Sequence, residues 1–167
     1  MAETGTLDAA PAAGQGNTPP GGTVVEETTP MKEKRMTKRW NDVRPYFERD
    51  TVVHVATLLP DGAPHSVPVW IGVEGDRLTM FTMADSRKDR DLQTDPRLAV
   101  SVTNPTNPLD SAFVRGRVVE RVTGDEALPI VDRISEKYTG APYDIRSGLT
   151  AFYIEPEVSW ARDYSGE

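Results

Sequence analysis

A chain of 167 residues with a net charge of −7 has room for one domain and an appendage, and its overall negative charge argues against general affinity for nucleic acid or anionic lipid, so any anion site must be a local cluster of cations. Because it contains no cysteine, it forms no disulfide, thiolate nucleophile or thiolate metal site. No apolar run approaches the roughly 20 residues of a membrane span and the N-terminus lacks the apolar core of a secretory signal, which makes the cytoplasm the expected compartment.

Residues 1–36 are rich in Ala, Gly, Pro, Thr and Glu without a sustained apolar period. Such a segment buries too little apolar surface to offset its ordering entropy and is expected to be a disordered tail, with a tethering arm as the alternative. The foldable domain is then residues 37–167. Thr37 is placed to cap a short helix carrying Trp40, Val43 and Phe47 on one face, with Pro45 bending or ending it. Residues 51–59 are β-branched and read as a strand buried on both faces. Pro60, Asp61 and Gly62 form a turn, and residues 64–73 return, completing a hairpin.

Residues 77–82 form a third strand, residues 97–103 a fourth and residues 111–122 a long fifth, with a loop over 104–108. A second helix spans residues 125–138, with Leu128, Ile130, Val131 and Ile134 toward a core. The last strand starts at 149–154 and resumes beyond Pro156 through Trp160. Four strands arrive before any long helix, so the fold is mainly β (α+β), antiparallel, and a small barrel with two to three flanking helices hides its edges economically.

Between the third and fourth strands the residue types change from packing to chemistry. Ser86 is a good N-cap and Asp89, three residues on, can return the interaction. The backbone N–H groups near residues 87–89 then point outward at the positive end of a helix dipole. Arg87, Lys88 and Arg90 add charge-assisted donors, giving the layout of an anion cradle. The competing reading is a short surface helix in a charge-rich protein, because Asp85, Asp89, Asp91 and Asp95 lie among the cations. A second irregularity is Pro68, mid-strand among Ser66, Val67, Val69 and Trp70. Proline cannot donate to a ladder there, so one side of this strand is free of pairing. Either a flat ligand lies against that side or the strand is an ordinary edge facing water.

The order of these pieces resembles the pyridoxamine-5′-phosphate-oxidase-like split β-barrel family, with its FMN-binding-like fold. The resemblance rests on the hairpin through Asp61, Gly62, Pro64, His65 and Ser66–Trp70, followed by Phe81, Thr82, Ser86–Lys88, Arg90, Leu92 and Asp95–Arg97. The spacing from Lys88 to Arg97 and the later run from Ile134 to Gly140 are similar to the actinobacterial branch that binds the deazaflavin coenzyme F420. The resemblance covers residues 37–163. It implies that a cofactor phosphate sits on Thr82, Ser86, Arg87 and Lys88 with Arg90 assisting, and that the ring lies along Ser66, Val67, Pro68, Val69 and Trp70. It also implies a homodimer with cofactor at the subunit interface, the partner closing each pocket through Trp160 or Arg162. Asp91 departs from the branch, where Asn is frequent.

The implied activity is an F420-dependent reductase acting on a planar conjugated small-molecule acceptor such as a quinone, an enone or a biliverdin-like tetrapyrrole. The alternatives are an FMN-dependent oxidoreductase and a non-catalytic carrier or sensor of F420, FMN or haem. Hydride chemistry belongs to the cofactor and asks little of side chains, which suits a chain without a catalytic constellation. His65, beside the ring strand, is a weak candidate proton donor, whereas His54 is expected to pack in the core. Two histidines without a helical Glu make no zinc site, so no metal is expected. Arg115 and Arg117 share a strand face, either to hold a polyanionic tail or simply as a solvated surface.

Overall fold

β-Branched runs punctuated by Gly, Asn and Pro turns form eight strands in the computed structural model, which describes residues 36, 37 and 39–164. The strands are β1 (Met36–Thr37), β2 (Val53–Leu58), β3 (Pro64–Val69), β4 (Gly72–Glu74), β5 (Arg77–Met83), β6 (Arg97–Asn104), β7 (Asn107–Thr123) and β8 (Leu149–Asp163). Three α-helices flank them: α1 (Trp40–Glu48), α2 (Arg87–Thr94) and α3 (Leu128–Thr139), the last preceded by a 3-10 turn over Gly124–Ala127.

Every strand pair is antiparallel, in the order β3-β2-β6-β7-β8-β5-β4, with β1 added to β8. The first and last strands of that order, β3 and β4, are separated in the chain only by Trp70 and Ile71. Three Cα steps reach about 11 Å at most, so the sheet must curl until its two ends meet. Among the described residues no ladder joins them. The result is a split antiparallel β-barrel with a seam between β3 and β4: an antiparallel barrel as the strand order suggested, and a split one as the family resemblance implied.

The barrel interior is filled by Val55, Leu78, Met80, Val100, Val114, Phe152 and Ile154, and α1 adds Val43 and Phe47. α3 presses Ile130 and Ile134 onto Ala151 in a smaller cluster that Trp70, Phe81 and Tyr138 border. Gly116 in β7 has no room for a side chain, since a Cβ there would meet the Glu155 carbonyl oxygen of β8.

Several expectations change. Thr37 lies in β1 and is not a helix cap; α1 starts after Arg39 without a side-chain cap. Pro45 sits inside α1 without ending it, because Pro45 and Asn41 are exposed and the carbonyl that loses its donor can turn to water. β2 is buried on one face only, and His54 is exposed on the other instead of packing in the core. The returning strand of the hairpin breaks at Trp70 and Ile71, where the chain crosses the seam. The loop expected over 104–108 is a tight hairpin in which Asn104 pairs with Asn107 and its side chain caps Thr106. β8 runs unbroken through Pro156, which falls between the residues that pair with β5 and those that pair with β1. The tail expected over residues 1–36 lies outside the described residues except for Met36, which pairs with Arg162.

Candidate functional site

The chain leaves β5 at Met83 and reaches α2 through Ala84, Asp85 and Ser86. Asp85 adopts φ 60°, a left-handed conformation that Asp tolerates better than most residues. This turns the backbone sharply enough for Ser86 to cap α2, its Oγ accepting from Asp89 N at 3.3 Å and lying 3.0 Å from Thr82 Oγ1. The reciprocal bond differs from the expected one: Asp89 Oδ2 accepts from Asp85 N at 2.9 Å, while Ser86 N donates to the Met83 carbonyl. The N–H groups of Arg87 and Lys88, at the first two helical positions, are left without intrahelical acceptors.

The carboxylates interleaved with the cations are engaged elsewhere. Asp89 is fully buried and receives both Nε and Nη2 of Arg121, each at 2.8 Å. Arg121 foremost, helped by the Asp85 N–H, holds the Asp89 carboxyl below the usual carboxylate range. Asp91 is buried and accepts from Thr57 Oγ1 at 3.3 Å. Asp95 is forked by Arg97, which pulls its carboxyl down to about 2. Among the described residues, neither the exposed Asp85 nor the buried Asp91 enters an ion pair. Arg87, Lys88 and Arg90 therefore form no ion pair among the described residues. Lys88 is half-buried and burial lowers its pKa. An ammonium shielded from water without an anionic partner is costly, and a ligand phosphate is the kind of group that would offset that cost.

Among the described residues β3 is the terminal strand of the sheet and pairs only with β2. Ser66 and Pro68 are exposed on its outer face, whereas Val67 and Val69 pack on the core. Beyond β3, Trp70 stacks on Tyr138 at 5.1 Å and meets Phe81 edge-on at 6.5 Å. Tyr143 closes the group, 4.9 Å from Phe81. A cavity of about 360 Å³ opens here, lined by Val52, Pro68, Val69, Trp70, Phe81 and Tyr143. Phe81 and Thr82 are consecutive in β5, so their side chains face opposite sides of the strand, Phe81 into the cluster under α3 and Thr82 toward Ser86.

The described part of the chain matches the sequence pattern of pyridoxamine 5′-phosphate oxidase over residues 40–161. The chain belongs to the pyridoxamine 5′-phosphate oxidase family. No curated protein matches it by sequence. Among solved structures it is similar to an F420 reductase, with 26% identity and a TM-score of 0.63 over 70% of this chain and 94% of that one. It shares its fold with a conserved hypothetical protein of Mycobacterium tuberculosis (21% identity, TM-score 0.67, 78% of this chain and 88% of that one). The FAD and heme binding protein of Mycobacterium smegmatis shares it too (19% identity, TM-score 0.64, 80% and 75%).

Within this member of the pyridoxamine 5′-phosphate oxidase family, the geometry gathers Thr82, Ser86, Arg87 and Lys88 at one helix start, with Arg90 one turn on. Ser66, Val67, Pro68, Val69 and Trp70 lie along the free edge and its continuation. His65 is half-buried and opposite Thr57, on the sheet face that meets α2 through Asp91. Arg115 and Arg117 are not part of this group: Arg117 pairs with Glu157, and Arg115 lies 5.9 Å from the Trp160 ring centroid. Arg115 borders a separate cavity of about 470 Å³ with Arg97, Ala99 and Val158. Tyr138, Tyr143 and Arg121 had no assigned role in the sequence reading. Tyr138 donates to the Thr51 carbonyl at 2.8 Å and accepts from Ile71 N at 3.2 Å, fixing the chain at the seam. Its position four residues after Ile134, on the core-facing side of α3, was the available signal. For Tyr143, held by its N–H to Asp132 in a loop clamped by Arg146, no periodic signal existed. Among the described residues no cluster of metal-ligating side chains occurs, and no helix is long and apolar enough to cross a membrane.

Proposed function

We propose that this protein is an F420-dependent reductase that passes hydride from the reduced deazaflavin to a planar conjugated acceptor such as a quinone, an enone or a biliverdin-like tetrapyrrole. The observation that carries this reading is the half-buried Lys88, without an ion pair among the described residues, beside Arg87 at the start of α2; the β3 edge and the aromatic group of Trp70, Phe81 and Tyr143 accompany it. The F420 reductase, at 26% identity, favours the deazaflavin over FMN.

In this reading Thr82, Ser86, Arg87 and Lys88 hold the cofactor phosphate through hydroxyl, guanidinium, ammonium and helix N–H donors, and Arg90 adds charge. The free edge at Ser66–Trp70 supplies backbone groups to a flat ring, and the aromatic wall of Trp70, Phe81 and Tyr143 excludes water from it. The bound cofactor supplies the redox chemistry. His65 is positioned on the same strand as a candidate donor of the proton that accompanies the hydride.

The protein is further proposed to work as a homodimer with each cofactor at the subunit interface. Supporting this, one outward row crosses five strands as Pro68, His54, Ser101, Phe113 and Trp160, and the next crosses them as Ser66, Ala56, Ala99, Arg115 and Val158. Two rows with a single permanent charge are poor in charge for a chain that is 27% charged, as expected of a covered surface.

Titration of purified protein with F420 and FMN side by side tests the reading. Tight binding of F420 and oxidation of its reduced form by a quinone or enone are expected. Binding of FMN alone, with a yellow purified protein, would replace it with the FMN enzyme. Binding without turnover across an acceptor panel would replace it with a carrier or sensor. Failure to bind either at micromolar concentration ends the cofactor assignment.

A further inference from the structure

The first turn of α2 contains a carboxylate where a phosphate-binding helix can least accommodate one. Asp89 is 0% exposed and sits one residue after Lys88, with its side chain turned back to the Asp85 N–H. A buried negative charge beside the helix N-terminus opposes an incoming dianion. Arg121 answers that charge from β7, well separated in sequence, with a two-point fork at 2.8 Å to each carboxylate oxygen. Arg121 pairs across the sheet with Phe152, a core residue, and reaches α2 from that face. Resting on the cradle reading above, we propose that Arg121 is a positioning residue for the anion site: by neutralising Asp89 and clamping the first turn of α2, it makes the cradle of Ser86, Arg87 and Lys88 permissive for a phosphate dianion.

The groups facing the Asp89 carboxylate are the Arg121 guanidinium from β7, the Asp85 N–H from the preceding turn, and Gln93, which donates to the Asp89 carbonyl from the next turn of α2. Asp85 contributes a nearby carboxylate that also acts on Arg121. Lys88 and Arg90 flank Asp89 on its own helix. Removing Arg121 takes away the leading influence that lowers the Asp89 carboxyl and leaves burial, which raises it, against the weaker pull of the Asp85 N–H and Gln93.

The test measures dissociation constants for F420, FMN and inorganic phosphate between pH 5 and pH 8, each relative to wild type at the same pH so that titration of the ligand cancels. Arg121→Met is expected to weaken binding at least tenfold at pH 8, with a smaller loss at pH 5. The double variant Asp89→Asn, Arg121→Met is expected to recover most of the pH 8 loss and to keep at every pH only the several-fold share that belongs to the missing clamp, because no buried charge remains to be cancelled. A purely architectural role predicts no pH recovery and no rescue by the double variant, and either result would overturn the inference, as would wild-type affinity in Arg121→Met. If Arg121→Met does not fold, Arg121→Lys keeps the charge and loses the fork. It should then weaken binding several-fold without pH dependence, and unchanged affinity would refute the clamp. Should wild type bind phosphate but neither cofactor, the reductase reading falls while the Arg121 comparison is still read on phosphate. Should wild type bind none of the three, both fall.

Discussion

Three side chains decide how strongly the proposed site holds an anion, and they differ in exposure. Lys88 is half-buried, whereas Arg87 and Arg90 are exposed, so Lys88 should matter most because its interaction is least screened. Replacing Lys88 or Arg87 with Ala is expected to weaken cofactor binding by about 1.5–3 kcal/mol each, with Arg87 at the lower end; a fluorescence titration of F420 or FMN reads this directly. A different lysine sets an expected pH response of the fold. Lys137 donates to the Phe47 carbonyl at 2.8 Å and lies 4.8 Å from the Tyr138 ring centroid, yet burial lowers its pKa from 10.5 to about 8. Between those two values the unfolded chain carries the additional proton, so stability rises with pH across that window. Tyr46 acts oppositely: burial first, then its hydrogen bond to Asp110, pushes it from 10.0 up to about 12, so its contribution falls as pH rises from 10 toward 12. Thermal unfolding should therefore show increasing stability from pH 8 toward about pH 10, and Lys137→Met should reduce that rise, to which the half-buried Lys88 also contributes, while leaving the later fall.

The elements divide by whether their cause is local. β2, β5, β6 and β7 were legible because their β-branched content and bounding turns are local signals, and Ser86 marked the start of α2 by the same logic. Thr37 misled because a good capping residue was instead drawn into pairing with Ala161, a partner more than a hundred residues away. His54 misled because its apolar neighbours suggested burial on both faces, while the barrel buries only every second residue of β2. The site was legible in the same uneven way. Ser86, Arg87 and Lys88 stand together in sequence, but the Asp89–Arg121 fork and the Trp70–Phe81–Tyr143 wall are products of the sheet order and leave no short-range trace. Gly116 is another such long-range requirement, set by the backbone of β8. Gly116→Ala should push β7 and β8 apart at the bulge between Arg115 and Gly116, costing about 1–3 kcal/mol as an overpacked site; urea unfolding with an unchanged m-value would measure it.

At the scale of the whole molecule, the barrel fills its interior with apolar side chains but leaves one side of its wall without a reason to be so poor in charge. The two outward rows over β3, β2, β6, β7 and β8 carry Pro68, Phe113, Trp160, Ala56, Ala99 and Val158, and Val158 is 44% exposed. Phe113 and Trp160 stack on one another at 5.2 Å on that face, forming the flat aromatic platform that interfaces favour. The same face begins at the free edge of β3, where the proposed ring lies, so covering it with a second chain would also complete the pocket. Light scattering is then expected to give the mass of two 18.4 kDa chains. Ala99→Arg places a second cation next to Arg115, its partner across β6 and β7, and two such charges buried between subunits are strongly unfavourable. The variant should keep its fold, since Ala99 points away from the core, but run as a single chain and lose cofactor affinity together with dimerisation. A wild-type monomer that binds F420 tightly would separate the two properties and leave the cradle and the β3 edge sufficient by themselves.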